Sequence, residues 1–115
     1  MLERREKKRL CAICQVLDLE RNWVGVSFDL TTEGVHVALS SAFAPRGEFS
    51  VILRRGETEQ APEVIITICP VWYHGGNNLY QEIGGKIVAV ENEKEFQAFL
   101  DDCQEAALCG VSELK

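Results

Sequence analysis

Apolar side chains recur at every second position through most of this 115-residue chain, a period that builds strands and excludes helices wherever it holds. Val24, Val26, Phe28 and Leu30 alternate with Trp23, Gly25, Ser27 and Asp29, which predicts a strand with the first set in a core. Val35, Val37 and Leu39 repeat the pattern against His36, Ala38 and Ser40, and Phe49, Val51 and Leu53 repeat it after the turn formers Pro45-Arg46-Gly47. The run Val64-Ile65-Ile66-Thr67-Ile68-Cys69 is β-branched on both faces and reads as a central or doubly covered strand. Gly75-Gly76-Asn77-Asn78 signals a hairpin, and a last strand follows from about Leu79 to Val90, with Gly84-Gly85 predicting a bulge or sharp bend inside it. A first strand around Leu10 to Leu17 makes six.

Short connections make such strands antiparallel neighbours, and closing into a small barrel removes their exposed edges. The period then changes. Phe96, Phe99, Leu100 and Cys103 follow helical spacing, with Asn92 and Glu95 three apart as a cap, so one C-terminal amphipathic helix is expected from about Glu93 to Leu108. The fold class is therefore mainly β: a six-stranded antiparallel barrel followed by a helix. With 46% hydrophobic side chains the chain supports a single core, divided as a basic arm (1–9), barrel and helix (10–109) and a tail (110–115). The stretch from Arg54 to Pro62 reads as a polar loop.

Charge is unevenly distributed. Arg4-Arg5-Glu6-Lys7-Lys8-Arg9 carries five of the twelve Lys and Arg, in a chain whose net charge is −6. A broad basic face is what coats a nucleic-acid polymer or an anionic membrane, and it is missing here, so the expected anion is small and met by a local arm. The N-terminus is charged where a secretory signal is apolar, and no stretch approaches the roughly 20 apolar residues of a membrane span, which reads as a cytoplasmic protein without membrane insertion.

Five cysteines at scattered positions do not form a disulfide framework. Cys11-Ala-Ile-Cys14 lacks a matching second pair among Cys69, Cys103, Cys109, His36 and His74, and residues three apart on a strand face opposite sides, so no metal site is expected. Ser27, Asp29 and His36 could be combined into a triad only with His36 leaving the polar face of its strand, and no nucleophile elbow surrounds a serine. No catalytic residue is assigned.

Two short motifs remain. Arg4, Arg5 and Arg9 form Arg-Arg-x-x-x-Arg, and after one strand pair Asp29, Thr31 and Gly34 form Asp-x-Thr-x-x-Gly. In order and spacing they resemble the signature of the PilZ domain, the bacterial receptor module for cyclic di-GMP, whose usual pattern is Arg-x-x-x-Arg and then Asp or Asn, any residue, Ser, two residues and Gly. The Pro-x-Gly turn and Trp72 late in the fifth strand add to the likeness, which covers about residues 3 to 100. The departure is Thr31 in place of serine, which keeps the hydroxyl but adds a methyl and restricts χ1.

The resemblance implies a six-stranded barrel with a C-terminal helix, no cofactor, and cyclic di-GMP as ligand. By it, Arg5 and Arg9 would fork onto phosphate or the guanine O6/N7 edge, Arg4 would add a contact, and Lys7 and Lys8 would steer. Asp29 would accept from guanine N1 and N2, Thr31 would offer its hydroxyl, and Gly34 would supply a turn needing positive φ or close backbone approach. Binding would order the arm and signal to an effector protein in motility, biofilm or exopolysaccharide control. The alternative is an adaptor of the same fold that acts by protein contacts without nucleotide.

Overall fold

The computed structural model describes the backbone of residues 13–43, 45–56, 60–75 and 79–114, and the side chains of these up to residue 103. The basic arm with Arg4, Arg5 and Arg9, the expected strand start at Leu10, and Cys11 lie outside the described residues, as do residues 76–78 of the expected hairpin turn. Six strands and a helix follow in order: β1 Cys14–Leu17, β2 Trp23–Leu30, β3 Gly34–Ser40, β4 Phe49–Arg54, β5 Glu63–Gly75, β6 Tyr80–Val90 and α1 Glu93–Leu114.

The strands form a closed barrel in the order β1-β2-β3-β6-β5-β4, with β4 returning to β1 and every pairing antiparallel. It consists of two three-stranded meanders joined by the connection over 41–48, which carries a bend at Gly47. Val16, Val37, Leu39, Val51, Leu53, Ile66, Ile68 and Ile83 fill the interior with no accessible surface. Burial of each such side chain contributes roughly 1.5–3 kcal/mol. Phe96, Phe99, Leu100 and Cys103 of α1 join the same core, as their spacing predicts. The helix starts where expected, with the Glu95 N–H donating to Asn92 Oδ1 at 3.0 Å. It continues past Leu108, because a glycine such as Gly110 weakens a helix by about 1 kcal/mol without removing a backbone hydrogen bond.

Strict alternation fails in β2. Val24, Val26, Phe28 and Leu30 were the expected inner face, yet Gly25 and Ser27 are buried while Val26 and Phe28 lie half-buried on the outside. Val24 is an extra residue against β1, where Val16 pairs with Gly25 and Leu17 with Trp23. Phe28 is an extra residue against β3, where Ser27 pairs with Val37 and Asp29 already with His36. Each bulge inserts one residue and shifts the inside-outside phase. The second leaves Phe28 and Asp29 both on the outer face and returns Leu30 to the core.

The bulge expected at Gly84-Gly85 of β6 falls on its partner. Pro70 pairs with Gly85 and Trp72 with Gly84, which leaves Val71 as the extra residue in β5. β5 also runs well past Cys69, to Gly75, since the paired β6 gives the Pro70–Gly75 backbone a ladder to join.

Two features looked inert in sequence and are not. Arg54 and Arg55 are anchors: Arg54 donates to Gln15 Oε1 at 3.1 Å and to Gly56 O at 3.1 Å, and Arg55 reaches Asp102 of α1 through its carbonyl and carboxylate. Cys14 turns inward against Cys103. The hydrogen bond between the two thiols lowers the Cys14 pKa and, with burial, pushes that of Cys103 far up.

Candidate functional site

An outer cleft of about 510 Å³ opens where β2, β3, β5 and β6 meet, lined by Asp29, Thr31, Gly34, Val35, His36, Val71, Trp72, Gly84 and Gly85. That volume is in the range of small-molecule sites. The three described residues of the expected signature thus share one pocket, and the Phe28 bulge is the reason Asp29 faces it.

The turn between β2 and β3 is built by Thr31. Its N–H donates to Gly34 O at 2.9 Å, and its Oγ1 accepts from the N–H groups of Glu33 (3.1 Å) and Gly34 (3.0 Å). A hydroxyl has two acceptor sites and one donor, so both acceptor sites serve the turn. The O–H points at Gly34 O across 3.4 Å, a weak bond that a better acceptor in the pocket can replace.

Gly34 plays its part through proximity and not through positive φ. Among the described glycines only Gly56 has positive φ, whereas a Cβ on Gly34 would stand 3.3 Å from Gly85 O on β6. The turn is tied to the same strand by the Ile87 N–H, which donates to Glu33 O at 2.8 Å.

His36 was expected to be a plain polar-face residue and is instead engaged on several sides. Its Nε2 lies 3.0 Å from Glu82 Oε1, its Nδ1 lies 4.0 Å from Asp29 Oδ2, and its ring centroid is 5.2 Å from those of both Phe28 and Trp72. A readable signal existed: His36 follows Gly34 by two residues on the outer face of β3, which makes it the cross-strand neighbour of Asp29. Trp72 and the Gly84-Gly85 pair complete the wall, and Glu82 backs His36 from behind it. They could not be located without knowing that β6 lies between β3 and β5.

No Lys or Arg lines the cleft among the described residues, and its charged side chain is the carboxylate of Asp29, with Glu82 close by. Ser27 lies inside the barrel beside the Cys14 thiol, on the opposite face from Asp29 and His36, so those three residues do not converge as a triad. Among the described residues no three His, Cys, Asp or Glu side chains converge to chelate a metal ion, and no helix is long and apolar enough to cross a membrane.

The fold expected from the sequence, a PilZ-like barrel with one C-terminal helix, is the fold observed. It is similar to the structure of the Bacillus subtilis inhibitor of motility (MotI/DgrA), with a TM-score of 0.64 and 17% sequence identity over 93% of this chain and 53% of that one. The chain spans about half the length of that protein, and at this identity the likeness is one of fold. No protein-family model matches the sequence, and no curated protein matches it either.

Proposed function

We propose that the chain is a receptor for cyclic di-GMP that signals through a partner protein and has no catalytic role of its own. The observation that carries the proposal is the convergence of Asp29, Thr31 and Gly34 with an aromatic wall in one cleft. An ionised Asp29 accepts the paired N1–H and N2–H donors of guanine, the Thr31 O–H donates to an acceptor, and the ring of Trp72 offers stacking area.

The charge of the cleft supports a division of labour. A dianionic nucleotide set beside Asp29 and Glu82 needs cations, and the described lining holds none. Residues 1–9 hold five, so Arg4, Arg5 and Arg9 are assigned to the phosphates and guanine edges, in a fork geometry that lysine cannot supply. A basic arm closing over the ligand would present a partner with a new surface, which is how binding becomes a signal. The fold neighbour is by name an inhibitor of motility, which favours motility control as the process.

Titration calorimetry tests this. Micromolar protein should release or take up heat with tens of micromolar cyclic di-GMP, and Arg5→Ala and Asp29→Ala should each remove most of the affinity while Lys7→Ala mainly alters salt dependence. No heat from the unaltered protein would reject nucleotide binding. The second reading, an adaptor acting without nucleotide, would then stand on the exposed apolar side chains of Val71, Tyr73, Leu79 and Tyr80 along the β5 and β6 pair.

A further inference from the structure

Three strands bring three side chains into a row on the outer face: Glu82 on β6, His36 on β3 and Asp29 on β2. His36 pairs with Asp29 on one side and with Gly84 on the other, and its imidazole reaches along β6 to Glu82. We propose that Glu82 and His36 are a positioning pair that sets the Asp29 carboxylate for reading the amino-bearing edge of guanine. The proposal rests on the assignment of this cleft to a guanine nucleotide.

An ionised carboxylate only accepts, so the 3.0 Å contact with Glu82 requires the proton on Nε2 of His36. Nδ1 faces Asp29 Oδ2 at 4.0 Å, which is beyond hydrogen-bond range. His36 therefore bounds the carboxylate without a hydrogen bond to Oδ2. The ring is itself held by Glu82 at one nitrogen and by Phe28 and Trp72, each 5.2 Å away, so the boundary has a fixed orientation.

Orientation decides how many bonds form. Guanine presents N1–H and the 2-amino N–H side by side, and both are satisfied only when the two carboxylate oxygens lie in the plane of the base. A carboxylate turned away keeps one of these bonds and loses the other. The positioning pair therefore governs discrimination against a base without the 2-amino group more than it governs total affinity.

The test compares cyclic di-GMP with its inosine counterpart, cyclic di-IMP, by calorimetry on the unaltered protein and on His36→Ala, His36→Gln and Glu82→Ala. The unaltered protein should prefer the guanine form by about tenfold or more, the worth of one hydrogen bond to a charged group. His36→Ala and Glu82→Ala should shrink that preference to roughly threefold or less. His36→Gln, whose amide can still meet Glu82, should restore part of it. Glu82→Ala also removes a negative charge near a dianionic ligand and so strengthens both ligands by a common factor, which is why the ratio is the readout. An unchanged ratio in His36→Ala and Glu82→Ala, or equal losses for both ligands, would overturn the positioning role and leave nucleotide binding intact. Equal affinities of the unaltered protein for the two ligands would overturn it too. Failure of the unaltered protein to bind either would overturn the nucleotide assignment and the positioning pair together. If His36→Ala does not fold, Glu82→Ala decides alone, since the Glu82 side chain is 42% exposed.

Discussion

The indole of Trp72 rests on the backbone of Gly84, so close that a Cβ at residue 84 would collide with Cε2, Nε1 and Cζ2 of the ring. Gly84→Ala should therefore lower stability by roughly 1–3 kcal/mol, the usual cost of overpacking, and displace the ring from the cleft. Urea denaturation with tryptophan fluorescence reads both effects. Trp72→Ala in the Gly84→Ala background should recover most of the added loss, and a recovery of zero would mean that the ring is not what the methyl meets.

Thr31 separates a structural from a chemical use of one hydroxyl. Thr31→Val leaves the Glu33 and Gly34 N–H groups without their acceptor and should cost about 1–2 kcal/mol in a urea titration. Thr31→Ser keeps both bonds and should stay within about 0.5 kcal/mol of the unaltered protein. A loss in Thr31→Ser with none in Thr31→Val would assign the effect to the γ-methyl and not to the oxygen.

These two sites also mark what was legible beforehand. The alternation of Val35, Val37 and Leu39 named the inner face of β3, and Asn92 with Glu95 named the helix start, because in both a local pattern is also the final one. β2 defied its own pattern. Its apolar residues Val26 and Phe28 lie outside because partner strands impose a bulge at either end, and a bulge is a property of the pairing that one strand does not encode. Asp29, Thr31 and Gly34 were adjacent in sequence and easily grouped. The contacts of His36 with Glu82 and Trp72 are not legible in sequence, because these partners come from strands that reach β3 only through barrel closure.

Acid should reveal the turn between β1 and β2. The Asp18 carboxylate accepts the N–H groups of Asn22 and Glu20, each at 2.9 Å, and the Asn22 bonds above all hold its pKa below the usual value. A depressed folded pKa means that this contribution is present above the unfolded value, about 3.9, and is lost as pH falls through the folded one. Asp18→Asn should be less stable than the unaltered protein at neutral pH, with the two stabilities converging below pH 4. A gap that stays constant down to pH 2 would contradict the assignment.

The helix cap is the simplest case. Asn92→Ala removes the acceptor of the Glu95 N–H and should cost about 1 kcal/mol, whereas Asn92→Asp should match or exceed the original because a carboxylate also suits the positive end of the helix. Thermal unfolding followed by circular dichroism distinguishes the two. A neutral alanine variant would show that packing of Phe96, Phe99 and Leu100 alone sets the helix start.

The extra residue at Phe28 gives β2 one position more than its pairing with β3 consumes. Deleting Phe28 would leave Ser27 pointing in, Asp29 out and Leu30 in, with the ring contact to His36 forfeited. Deleting a residue from an unbulged stretch such as Val35 to Leu39 has no such slack and would exchange inside for outside along the rest of that strand. Chains of unequal length in β2 can therefore present the same recognition edge, so that counting residues between the basic arm and Asp29 is a poorer guide to kinship than counting pleats.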